Sequence, residues 1–144
     1  MKKILIILAS ITILSACGAP RYNSSPIENN HINTVAIVKN EKTREGFLQT
    51  IQTWLKNNNY DYIVTPSDSK HDPDMLTLEY VGYWAWDLAL YLKEAEISAY
   101  QNGQRVGKVN YRVPYTANPK KFGKGSERIE AMMDLLFGKN KQNP

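Results

Sequence analysis

The stretch from residue 75 to residue 113 decides what this chain can become, because it reads two ways. WDLALYLKEAEISAY, residues 86–100, has strong intrinsic helix propensity. The residues on its carboxyl side contradict a helix: Ile97-Ser98-Ala99-Tyr100, then Asn102-Gly103, then RVGKVNYRV at 105–113, a β-hairpin signature. Alternation discriminates between registers. A two-residue Asn-Gly loop sets Ile97 opposite Lys108 and Ala95 opposite Asn110, mixing apolar and polar side chains on both faces. A three-residue loop, Gln101 to Gly103 with Gly103 left-handed in a bulge, sets Ile97 opposite Gly107, Ala95 opposite Val109 and Tyr91 opposite Val113. Glu96 then faces Lys108 on the other side. A slip of one residue swaps every side chain between faces, so the second register is the expected one. Upstream, a tight turn at Trp86-Asp87 pairs Trp84 with Ala89, Gly82 with Tyr91, Leu78 with Ala95 and Leu76 with Ile97, large against small. Strands explain both hairpins, and a helix explains neither.

The flanks supply the other elements. Residues 34–39 (TVAIVK) and 60–65 (YDYIVT) are short β-branched or aromatic runs and read as strands. Between them, Phe47, Leu48, Ile51, Trp54 and Leu55 form one apolar stripe of a helix over 41–58, which Asn57-Asn58-Asn59 stops. Ile129, Met132, Met133, Leu136 and Phe137 repeat the stripe near the end, with Ser126 as the expected N-cap and Gly138 as the stop. The expected fold class is α+β: a two-layer sandwich in the order β-α-β-β-β-β-α, a mostly antiparallel sheet with two helices on one face.

In this register Trp84 and Tyr91 turn to the helices, while Val81, Tyr83, Leu88, Leu90 and Leu92 share the opposite face, with Trp86 at the turn tip. Both helices are assigned to the other side, so the patch is a candidate partner-binding surface for an envelope protein or a second copy of the chain, unless the linker folds over it or a helix lies on this face instead.

The first twenty residues, MKKILIILASITILSACGAP, address location. Lys2 and Lys3 precede an apolar run from Ile4 to Leu14 that is shorter than the ~20 residues a spanning helix needs. A basic start, a short apolar segment and small residues before a cut site mark a secretory leader. Leu14-Ser15-Ala16-Cys17 resembles the lipobox of bacterial lipoproteins. That resemblance implies removal of residues 1–16, a diacylglyceryl thioether on Cys17 and, in Gram-negative bacteria, a further acyl chain on its amine. Two or three acyl chains hold a protein on a bilayer where one does not. Gly18 is not the aspartate of inner-membrane retention, so in a Gram-negative host the resemblance implies the outer membrane, with the domain facing the periplasm. In its order of elements the chain is also similar to the amino-terminal domain of the translocation protein TolB and to lipoprotein activators of penicillin-binding proteins. The run from Tyr83 to Tyr91 resembles a recurrent patch in small lipoproteins. No catalytic residue is carried across by these likenesses.

Residues 18–33 (GAPRYNSSPIENNHIN) read as a flexible linker, 34–138 as one domain and 139–144 as a polar tail. Loss of Lys2 and Lys3 with the leader lowers the net charge from +4 to +2, too little to argue for nucleic acid. Cys17 is the single cysteine, so no intrachain disulfide is available and packing alone must hold the domain.

Chemistry-bearing residues are sparse. Asp68, His71, Asp72 and Asp74 share the loop SDSKHDPD, without the spacing of a zinc or EF-hand site. His31 sits in the linker. Gly123-Lys124-Gly125-Ser126 lacks the spacing of a phosphate loop, although a helix N-terminus there favours an anion. Arg105, Lys108, Arg112, Lys120, Lys121 and Lys124 form a basic run without an acid, facing Glu94 and Glu96 on the neighbouring strand. No catalytic set, metal or cofactor is expected. The expectation is a membrane-anchored, non-enzymatic interaction module. The rivals are an enzyme or accessory of peptidoglycan or lipid metabolism using the Asp/His loop, and a toxin-immunity lipoprotein.

Overall fold

The computed structural model describes residues 21–28, 32–113 and 119–139. Cys17, the leader, His31 and residues 140–144 lie outside them, as does the side chain of Lys120. The fold is α+β: a six-stranded mixed sheet and two helices. The elements are β1 (Arg21–Ser25), β2 (Thr34–Val38), α1 (Glu45–Asn57), β3 (Asp61–Thr65), β4 (Leu76–Asp87), β5 (Ala89–Gln101), β6 (Gln104–Arg112) and α2 (Gly125–Leu136), with a 3₁₀ turn at Pro119–Phe122 before α2. Across the sheet the order is β1-β6-β5-β4-β2-β3. The pairs of β2 with β3 and with β4 are parallel, and the other three are antiparallel.

Both helices bury the stripes their spacing predicts: Phe47, Leu48, Ile51, Trp54 and Leu55 from α1, and Ile129, Met132, Met133 and Leu136 from α2. They also end alike. Tyr60 N–H bonds Leu55 O and Asn59 N–H bonds Lys56 O, while Lys139 N–H bonds Asp134 O and Gly138 N–H bonds Leu135 O. Each end is a Schellman motif, closed by a left-handed Asn59 or Gly138. At the start of α2 the expectation differs from the structure. Lys124 is the N-cap residue and makes no side-chain cap bond, so Ser126 falls inside the first turn. Trp54 ties the helices together, donating from Nε1 to Asp134 Oδ1 at 2.8 Å and packing on Phe137 and Tyr60.

The expected linker is in part sheet. Arg21–Ser25 pairs antiparallel with β6, and just beyond it Ile27 is buried with its N–H bonded to Leu136 O at 2.8 Å. Tyr22 packs on Tyr111 at 5.1 Å between ring centres. An edge strand needs only backbone partners and one or two inward side chains, so RYNSS carries no alternation that betrays it. The expected tether from Cys17 is therefore shorter than the sequence suggests and ends at Arg21.

The β5–β6 hairpin departs from both simple registers. Asn102 and Gly103 are both left-handed, a two-residue loop that pairs Gln101 with Gln104. Val106 is then an extra residue, and beyond it Ile97 faces Val109 and Ala95 faces Tyr111. The bulge does the work expected of a longer loop, setting apolar against apolar by a different pairing. Lys108 still reaches Glu96, at 2.9 Å, but diagonally, because Glu96 sits opposite Asn110.

Candidate functional site

The β4–β5 hairpin outruns the rest of the sheet. β2 accompanies β4 only as far as Leu78, and β6 accompanies β5 only to Glu94. The remainder is a two-stranded ribbon turning at Leu88, which is left-handed, rather than at Trp86-Asp87 as the sequence predicts. Its base is clamped. Phe47 stacks on Tyr80 and meets Trp84 edge-on, Thr43 Oγ1 accepts from Gly82 N–H, and the Arg44 guanidinium lies 5.9 Å from the Trp84 ring centre.

A second bulge decides which residues the ribbon shows. Tyr83 pairs with Glu94 but Trp84 pairs with Leu92, so Lys93 is extra and the faces of β5 exchange there. The expected single patch is corrected accordingly. Leu92 turns inward and is 2% exposed, part of the core. Tyr91 turns away from the helices, opposite Ala85, and packs on Phe122. Trp86 and Leu90 pair on the helix side of the sheet but beyond the helices, whereas Tyr83 lies on the outer side. Exposure is 73% at Trp86, 87% at Leu88, 57% at Tyr83 and 47% at Leu90. Val81 is half-buried and lines a groove at the base of the hairpin instead. The exposed apolar surface is thus one side and the apex of the ribbon tip, Trp86, Leu90 and Leu88, with Tyr83 apart on the outer side of its base.

The groove, of about 780 Å³, lies on the outer face of the sheet. Topology puts it there. The connection from β2 to β3 runs through α1, and the connection from β3 to β4 must cross back over β2. Parallel crossovers are right-handed, so the second one uses the opposite face. Its His71 accordingly sits on the outer side, 2.8 Å from Glu79 Oε1, with its ring against Tyr100. The crevice between such diverging connections, at the carboxyl ends of parallel strands, is where open sheets bind ligands. Its lining includes Lys39, Lys42, Ser69, Glu79, Glu96 and Tyr100. Asn40 shapes one wall, its side-chain amide bonding Tyr80 O at 2.9 Å and its Oδ1 accepting from Lys42 N–H. No sequence signal marks this groove, because it needs residues from four separate segments.

The remaining candidates disperse. His71 turns to Glu79 and away from Asp68, Asp72 and Asp74, and among the described residues no three or more His, Cys, Asp or Glu gather as metal ligands. Of the basic run, Lys108 pairs with Glu96, Lys121 with Asp87 and Lys124 with Glu127, while Arg112 stands opposite both Glu94 and Arg21. Arg128 packs over Gly123, at the entry to α2.

Tyr111 is fully buried and its hydroxyl has no hydrogen-bond partner. Burial pushes its pKa from 10.0 up to about 12, against the opposing pull of the Arg128 charge. The folded chain thus keeps this phenol neutral where the unfolded chain ionises it. Stability from Tyr111 is complete below pH 10.0 and is lost as the pH rises towards about 12. Tyr111→Phe should flatten that alkaline fall and, by removing an orphaned hydroxyl, leave neutral-pH stability unchanged or raised by up to about 1 kcal/mol. Denaturant titrations at neutral pH and across the alkaline window check both.

No protein-family model matches this chain, and no curated protein matches it.

Proposed function

We propose that this chain is a lipid-anchored lipoprotein of the cell envelope, held in the outer membrane through acylated Cys17 with its domain facing the periplasm. There it acts as a non-enzymatic interaction module whose docking element is the β4–β5 hairpin. The leader and its LSAC ending support the location. The single observation that carries the docking role is the exposed tip of Trp86, Leu88 and Leu90, with exposed Tyr83 behind it, on a ribbon clamped at its base. Exposed large apolar side chains clustered on a rigid projection mark contact sites.

Leu88→Cys tests it, since Cys17 is the chain's single native cysteine and acylation removes its thiol. The new thiol should resist a water-borne maleimide in intact envelopes and react freely in a purified, unacylated chain that starts at Gly18 and is kept in buffer without detergent. A cysteine placed at Ser67, in the groove, should not show the same protection. Equal reactivity of Leu88→Cys in both states would sink the reading. Separately, Tyr83→Ser with Leu90→Ser should change stability by no more than about 0.5 kcal/mol each. If they unfold the chain, the tip is core and the docking role fails.

A second reading draws on the groove: an accessory or enzyme of envelope metabolism that binds a ligand beside His71 and Glu79. Its test is the melting temperature with and without divalent ions or candidate ligands, because a specific ligand raises it by linkage. A rise abolished by His71→Ala would favour this reading.

A further inference from the structure

Resting on the hairpin as the docking element, the geometry points to its partner: we propose that the tip of the β4–β5 hairpin enters the surface of the same bilayer that holds Cys17. The first argument is the length of chain before β1 and where it ends. Arg21 stands opposite Arg112, Arg112 opposite Glu94, and Glu94 opposite Tyr83, so one row crosses the sheet from β1 to β4. β1 enters that row from the end at which the hairpin leaves it. From Cys17 to Arg21 there are four residue steps, a reach of at most about 14 Å. From Tyr83 to Leu88 there are five steps along the ribbon, about 16 Å. β1 therefore begins at the end of the sheet from which the ribbon projects, and the greatest reach of the four steps before it is similar to the ribbon's length. Sheet twist of about 20–25° per strand splays them apart, but a plane set midway between the two directions shortens both reaches equally. An acylated Cys17 at the bilayer brings the tip to the same depth.

The second argument is the shape of the apolar surface. The exposed apolar side chains crown the end of the ribbon, with Trp86 and Leu90 paired on one side and Leu88 at the apex, while exposed Tyr83 stands at its base, about 16 Å back. A bilayer surrounds whatever enters it. Tryptophan and tyrosine favour the headgroup level, where the ring is in apolar surroundings and the N–H or O–H stays hydrated. The charge that would resist entry, Asp87, is paired with Lys121. The third argument is charge. Arg21 and Arg112 stand directly opposite one another, an arrangement that is unfavourable by itself. With exposed Lys93 they lie at the end of the sheet from which the ribbon projects, where anionic headgroups would offset the repulsion that Glu94 relieves only in part.

The test uses the processed, acylated chain in vesicles of phosphatidylethanolamine and phosphatidylglycerol whose acyl chains carry a quencher near the headgroup. Tryptophan emission should be quenched, and Trp86→Phe should define the background from Trp54 and Trp84. In Leu88→Ser with Leu90→Ser, vesicle attachment and the melting temperature should persist while quenching of Trp86 is lost. Absence of quenching in the acylated, vesicle-bound wild type overturns the proposal, as does quenching that survives both substitutions, which would assign the depth to the tether alone. A bare thiol on Cys17 in the mass spectrum overturns it too. Loss of the quenching result with Leu88→Cys still protected in envelopes leaves the hairpin as a docking element and makes its occupant an envelope protein or a second copy. Failure of both removes the docking role itself.

Discussion

Phe137→Ala is expected to cost about 3–5 kcal/mol, the range for removing a fully buried aromatic ring. Phe137 is 1% exposed and sits at the C-cap of α2 with its ring centre 4.9 Å from that of Trp54 and 5.1 Å from that of Tyr60. One side chain therefore joins the end of α2, the last turn of α1 and the turn leading into β3. A domain of this size is stable by about 5–15 kcal/mol, so the loss takes a large share of the total. The measurement is the denaturant midpoint, with an unchanged m-value showing that the native state itself is not looser. A loss below about 1 kcal/mol would mean that the aromatic cluster repacks and that the two helices are held by something else.

The second large effect is at Gly82, in β4 beneath the Phe47 ring. A Cβ there would lie 2.8 Å from Phe47 Cδ2 and 2.8 Å from Trp84 Cζ3. Phe47 cannot give way easily, because it is fully buried between Tyr80 and Trp84. Gly82→Val should cost about 3 kcal/mol, the upper part of the overpacking range, and Gly82→Ala about half of that. The consequence extends to function. This clamp sets the direction in which the hairpin projects, so Gly82→Ala should retain the fold but weaken lipid quenching of Trp86 in vesicles. Wild-type stability in both variants would show that the ring does not rest on the strand.

Much of this was legible because helical stripes announce themselves. Phe47, Leu48, Ile51, Trp54 and Leu55 recur at helical spacing, and five apolar residues on one side leave the chain little choice of what to bury. The strands at 34–38 and 61–65 declare themselves through β-branched runs, and Asn102-Gly103 announces a hairpin. The two bulges did not show. Lys93 and Val106 are unremarkable residues, yet each shifts a ladder by one and so reassigns everything beyond it. Leu92 reads as surface in an unbroken ladder and is core in the bulged one. The exposed residues of the hairpin followed from the sequence in name, but their division between a tip of Trp86, Leu88 and Leu90 and a base with Tyr83 did not.

By itself the sequence determined the class of fold, the two helices and their stops, and the existence of both hairpins. These are local matters, settled by the spacing of apolar residues and by the dihedral preferences of Asn and Gly. Only the tertiary structure decided that Arg21–Ser25 joins the sheet, that the β3–β4 connection crosses the outer face to form a groove, and that the hairpin outruns its neighbours. Each depends on backbone hydrogen bonds or crossings between distant segments, which every residue type can supply and which therefore leave no mark in the order of side chains.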